Sequence, residues 1–135
     1  GAMSGCQAEV GTATAMASVA IIYATHPEEY DALENAPALA LKSLMGLVCD
    51  PVGGFVEIPC VKRNAFGVSI AFTAAELALA GIKSAIPFEE VADSLGRVGR
   101  RLPEELKETA RGGIAITHTA KKMVADFLGG VDKKD

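Results

Sequence analysis

"AFGVSIAFTAAELALAGI", residues 65–82, is the stretch on which the fold turns. It is long and apolar enough to suggest a bilayer-spanning helix. Yet Glu76 sits within it, together with Ser69 and Thr73, and no aromatic belt flanks it. The reading is therefore a helix buried on nearly all sides, because a helix without a polar face belongs in the middle of other elements. A chain of 135 residues has few elements with which to surround such a helix. The expectation is a domain that spans no membrane, packs against another domain, subunit or segment, and works as part of an oligomer.

Composition supports a helical reading. The length allows one domain, residues 1–135, with a modest core and no separate substrate domain. Half the residues are apolar, aromatics are 5% and tryptophan is absent. Such a chain packs through small side chains and close helix contacts. The net charge of −4 and the lack of a basic stripe interleaved with aromatics exclude nucleic acid as the expected partner. "GAMSGCQAEVG" (1–11) shows no basic segment leading into an apolar run, so no secretory signal is read there. A cytoplasmic setting with reduced thiols is the expectation.

Outward from the central segment, other helices follow. "CQAEVGTATAMASVAIIYA" (6–24) is rich in small residues and stops before "THPEEY", where Thr25 is the expected N-cap of the next helix. Pro27, Glu28 and Glu29 suit that helix's first turn. It extends to about Met45, with a kink or break expected at Pro37. "DPVGGFVEIP" (50–59) reads as a structured loop with a short extended piece at "FVEI". Pro59 then opens the central helix. "IPFEEVADSLGRVGRRL" (86–102) is amphipathic, with Phe88, Val91, Leu95 and Val98 on one stripe. After "RGGIAITHT" a last helix, "AKKMVADFL" (120–128), leads to a polar tail. No useful strand alternation or internal repeat occurs. The fold class is all-α: a compact bundle of about five or six helices with a Pro/Gly-rich loop, part of a larger helical domain.

The three cysteines all fall at expected helix ends. Cys6 begins the first helix, Cys49 lies just past the second, and Cys60 follows Pro59 at the start of the third. Helix N-termini present free N–H groups and partial positive charge, which lower a thiol's pKa and favour an anionic metal–thiolate centre. Lys62 and Arg63 add charge beside Cys60, and Gly53 and Gly54 would let backbone N–H groups approach cluster sulfurs. Several readings stand on these residues alone. The cysteines could be small buried hydrophobes in a non-catalytic helical module. They could bind structural zinc with His26 or His118 as a fourth ligand, although no short Cys-x-Cys spacing is present. Three cysteines without a fourth also suit an iron–sulfur cubane with one open iron, a Lewis acid for a bound hydroxyl.

"SGCQAEVGTATAMA" (4–17), "GLVCDPVGGFVEIPCVKRNAFG" (46–67) and "KETARGGIAIT" (107–117) together resemble the alpha part of the bacterial iron–sulfur-dependent L-serine dehydratases, in its C-terminal half. The middle block is the most specific of the three. The resemblance implies an all-helical domain whose Cys6, Cys49 and Cys60 bind a [4Fe–4S] cluster. It also implies conversion of L-serine to pyruvate and ammonia without pyridoxal phosphate. Lys62, Arg63, Asn64 and Arg111 are the candidates for binding the substrate carboxylate, and the proton-abstracting base is left unassigned. The family's upstream alpha half and its beta subunit or domain lie outside this sequence. They are the expected partners, and this piece alone is not expected to complete an active site.

Overall fold

Small side chains decide how the helices meet. The structure, a computed structural model, describes residues 2–131. A π-helical turn, Gln7–Gly11, runs directly into α1 (Thr12–Thr25). Among the buried residues of this continuous helix, Val10, Thr14, Ser18 and Ile22 recur every four positions, with Ala15 beside them, and form one stripe. Two of them are hydroxyls, and each is satisfied within the helix: Thr14 Oγ1 donates to the Val10 carbonyl at 2.6 Å and Ser18 Oγ to that of Ala15 at 2.7 Å.

The stripe packs against α2 (Tyr30–Ser43) and α3 (Cys60–Leu79), which also pack on each other. The α2 contribution is Ala32, Ala36, Leu39 and Ala40, and the α3 contribution is Ala71, Ala74, Ala75 and Ala78. An alanine surface lets helix axes come close. At Gly67 the approach is tight enough that an added Cβ would stand 2.7 Å from Thr14 Oγ1. α4 (Phe88–Arg101) covers α2 and the π turn with Val91, Leu95 and Gly99. Glu89 and Glu90 in its first turn and Arg100 and Arg101 in its last complement the helix dipole. α5 (His118–Val131) is capped by Thr117, whose Oγ1 accepts the Ala120 N–H at 3.3 Å. It packs chiefly on two short 3₁₀ turns, Val52–Gly54 and Gly113–Ile116.

The all-α expectation is met: five helices, and no strand among the described residues beyond one isolated parallel bridge between Cys49 and Lys107. Several local expectations are corrected. Thr25 does not cap α2; it is the last residue of α1 and its hydroxyl donates back to the Ile21 carbonyl at 2.8 Å. Pro37 lies inside α2 without ending it, because Ala36, Ala38, Leu39, Ala40 and Leu41 are all buried there and hold the helix through the missing donor. Residues 56–59 form turns, so "FVEI" is not an extended piece beyond Phe55. The expected polar tail falls largely on residues 132–135, outside the described residues.

The central segment is the most informative correction. α3 is not surrounded on all sides within this chain. Its alanine stripe is buried, while Phe66 and Phe72 on the outer side are 70% and 52% exposed, with Val68 and Leu77 also exposed. The one helix among the described residues that is long and apolar enough to cross a bilayer is Gln7–Thr25, whose buried stripe packs against α2 and α3. α3 itself carries Lys62, Arg63 and Glu76.

Candidate metal centre

Each cysteine is held by its own backbone device. Cys6 follows Gly5, which has a positive φ of 71°, and leads into the π turn. The next residue, Gln7, is fully buried and rivets that turn to the rest of the chain. Its backbone N–H donates to the Leu47 carbonyl at 2.9 Å, its Nε2 to the Leu95 carbonyl at 3.1 Å, and its Oε1 accepts the Gly46 N–H at 2.9 Å. Cys49 is fixed by two backbone bonds at 2.8 Å, donating to Leu106 and accepting from Glu108. Cys60 opens α3, and the loop before it is closed by the Val52 N–H on the Ile58 carbonyl at 2.9 Å.

These devices bring the three sulfurs to one place. The Sγ atoms of Cys6, Cys49 and Cys60 all lie within 4.8 Å of one another, and none is in a disulfide. Cys6 and Cys49 are buried, Cys60 is half-buried, and Val10, Leu44 and Leu47 wall the group. Cys6 and Cys60 stand 54 positions apart in the sequence, and each sulfur reaches the group from its own anchored backbone.

Burial and mutual proximity set the electrostatics of the group. Burial pushes the Cys49 thiol far above its ordinary range, and Cys6 adds to this by hydrogen bonding and charge. Cys60 is raised for the same first reason and by Cys6, with Arg63 pulling the other way. The sequence reading expected the helix N-terminus at Cys60 to lower its value; desolvation and the Cys6 thiol outweigh it. Soft cations exchange for thiol protons, and binding one here would relieve that desolvation by replacing three protons with positive charge.

Arg63 supplies the nearest fixed charge. Its Nη1 donates to the Val48 carbonyl at 2.8 Å and to Asp50 Oδ1 at 2.8 Å, and lies 4.0 Å from Cys6 Sγ. Burial works against its charged form, but the hydrogen bond and charge of Asp50 more than offset this and leave its pKa raised. Arg63 thus faces the sulfurs. The other predicted residues are placed differently. Lys62 Nζ donates to the Glu57 carbonyl at 3.0 Å and Asn64 Nδ2 to the Cys60 carbonyl at 3.1 Å, both exposed. Arg111 pairs with Glu104 at 2.9 Å on the surface. Gly53 and Gly54 are exposed turn residues with positive φ; the Gly54 N–H is taken by the Pro51 carbonyl and Gly53 packs against Val124.

The donor set fits a metal centre held by three thiolates. Among the described residues the convergent group holds no His, Asp or Glu beside the three cysteines. His26 is exposed beside Thr25 at the end of α1 opposite Cys6, and His118 is exposed at the start of α5, so a zinc site completed by either lacks its fourth ligand. Sequence reasoning missed Asp50, which is 2% exposed, and Gln7. Asp50 sits inside the block that carries the resemblance, between Cys49 and Pro51. A carboxylate wedged between a cysteine and a proline was the signal that could have found it.

Comparison with known proteins agrees with the geometry. The family model described as "Serine dehydratase alpha chain" matches residues 1–115. The "Probable L-serine dehydratase, alpha chain" of Bacillus subtilis (strain 168) is 49% identical over 130 residues, 96% of this chain and 43% of that protein. The "L-serine dehydratase, alpha chain" of Peptoniphilus asaccharolyticus is 46% identical over 128 residues, covering 95% and 44% respectively. The "L-serine dehydratase" of Streptomyces coelicolor is 40% identical over 119 residues, 86% of this chain but 26% of that protein. The chain spans between 43% and 61% of the length of the alpha chains it matches.

Proposed function

The chain belongs to the serine dehydratase alpha chain family, and from that premise we propose that it is the cofactor-bearing portion of an L-serine dehydratase, holding a [4Fe–4S] cluster on Cys6, Cys49 and Cys60. The observation that carries this reading is the convergence of three sulfurs, none in a disulfide, within 4.8 Å of one another and with no fourth side-chain ligand among the described residues. When bound, the cluster supplies an iron without a protein ligand, a Lewis acid that eases departure of a substrate hydroxyl in a lyase reaction needing no pyridoxal phosphate.

The chain's own residues do the holding and the charge balancing. Three thiolates in an apolar wall carry negative charge that Arg63, at 4.0 Å from Cys6 Sγ, partly offsets. The backbone bonds on Cys49 and the Gln7 rivet fix where the sulfurs sit before any metal arrives. Lys62, Asn64 and Arg111 carry exposed donors for the substrate carboxylate, and each can leave a surface partner at little cost. The base that takes the α-proton is left unassigned. The partners in this reading are the remaining alpha portion and a beta subunit or domain, in a cytoplasmic oligomer. The exposed outer face of α3, with Phe66 and Phe72, supports such a partner.

The test is pyruvate release from L-serine under anaerobic conditions, with this chain loaded with iron and sulfide and co-expressed with the remaining alpha portion and beta subunit of a relative. Activity that needs both the iron and the partners, and that disappears in Cys49→Ser, is the expected result. Activity unchanged in Cys49→Ser would overturn the reading.

A further inference from the structure

Asp50 is the only buried acidic side chain among the described residues. A buried charge is costly unless paired and hydrogen-bonded, and even a paired one adds little stability over a well-packed apolar residue. Its retention here therefore calls for a local reason, and its geometry supplies one. Oδ1 accepts Arg63 Nη1 at 2.8 Å and Oδ2 accepts the Ile114 backbone N–H at 2.8 Å, so both oxygens are committed. The same Arg63 nitrogen reaches Val48 O and Cys6 Sγ. One carboxylate thus links the cysteine loop, the first turn of α3 and the loop that carries Gly112 and Gly113. That last loop is backbone-strained beside the site, with Glu108 and Ala110 at φ of 65° and 54°.

We infer that Asp50 is a positioning residue for the metal centre: it holds the Arg63 guanidinium against the Cys6 sulfur and seats the 112–114 loop on the cysteine loop. This rests on the reading of the cysteines as metal ligands. Arg63 sits in the first turn of α3 with its side chain 20% exposed, so without the carboxylate it can turn towards water. The thiolates would then face the low-dielectric wall with less positive charge nearby. Partners one step removed from metal ligands change affinity by about 10–100-fold when removed.

Cobalt(II) is a suitable probe, because its thiolate charge-transfer absorption reports binding at the three sulfurs without any enzymatic activity. The reduced full chain would be titrated anaerobically as wild type, Asp50→Asn, Arg63→Gln, Arg63→Lys and the Asp50→Asn/Arg63→Gln double variant. The expected result is an affinity about 10–100-fold weaker in each of Asp50→Asn and Arg63→Gln. The double variant should be no weaker than the weaker single one, because Asp50 acts through Arg63. Arg63→Lys should recover most of the affinity, since a single nitrogen makes all three contacts. Wild-type affinity in both single variants, or losses that multiply in the double, would overturn the inference. If Asp50→Asn fails to fold by circular dichroism, the Arg63 pair decides: weak binding in Arg63→Gln alone supports the inference, and equal binding in both overturns it. A wild type that binds no cobalt would overturn the metal reading and this inference with it, whereas a wild type that binds as tightly as every variant would overturn the inference alone.

Discussion

Gly113→Ala tests how rigidly the site is built. Gly113 has a φ of 58°, and an added Cβ would collide with the Asp50 carboxylate, standing 2.6 Å from the Asp50 Cβ. The left-handed backbone alone costs an L-residue about 1–2 kcal/mol. Displacing Asp50 adds the loss of its bond to the Ile114 N–H or to Arg63, about 1–3 kcal/mol for a polar group left without its partner. The sum is roughly 2–5 kcal/mol, a large share of the ~5–15 kcal/mol that stabilises a typical domain. Gly81→Ala is the matched control. Its φ is 84° and nothing lies within 4 Å of the added Cβ, so only the backbone cost applies. Urea unfolding of the reduced, metal-free chain, followed by far-ultraviolet circular dichroism, reads both. Gly113→Ala should lose at least about 1 kcal/mol more than Gly81→Ala. Equal losses would show that Asp50 yields freely and is not the fixed hub described above.

Three further outcomes follow from the same contacts. Cys49 and Cys60 hold their protons more tightly when folded than at the ordinary value of 9.0, so between the two values the folded state binds more protons. Their contribution to stability is fully present below pH 9.0 and is lost as pH rises past it; urea midpoints of the metal-free chain should fall there, and fall less steeply in Cys49→Ser. Phe127→Ala removes an edge-on ring contact with Phe55, centroids 5.6 Å apart, worth about 0.5–1.5 kcal/mol beyond its buried area. Because α5 packs chiefly on the two loop turns, amide exchange should quicken in α5 and hardly change in the buried α1–α3 stripe; uniform quickening would contradict that. Arg111→Ala breaks an exposed pair with Glu104, so thermal unfolding should register a change of at most about 1 kcal/mol.

What the sequence revealed and what it hid have physical causes. Helix formation was legible because alanine-rich runs and acidic or proline starts act locally, as in α4 with Glu89 and Glu90 at its head. The three cysteines were legible because their residue context is specific, although nothing in spacings of 43 and 11 residues foretold their meeting. Pro37 and Thr25 misled because tertiary burial overrides a local breaker and a hydroxyl can satisfy itself in either adjoining helix. The lower thiol pKa expected at Cys60 from its helix N-terminus failed because the field of a helix end is weaker here than desolvation and the neighbouring Cys6 thiol. Asp50 was hidden because its partners, Arg63 and Ile114, lie 13 and 64 positions away. α3 was read as buried all round; its apolar outer face is real, but nothing within the described residues covers Phe66 and Phe72.

The central claim is that Cys6, Cys49 and Cys60 together hold one iron–sulfur centre. Anaerobic reconstitution with iron and sulfide, followed by iron, sulfide and zinc analysis of the wild type and of the Cys6→Ser, Cys49→Ser and Cys60→Ser variants, tests it most directly. The account predicts about four irons and four sulfides per chain in the wild type, as one [4Fe–4S] centre requires, with loss in every serine variant. Iron that survives any of the three substitutions, or a wild type that takes up a single zinc and no sulfide, would contradict it.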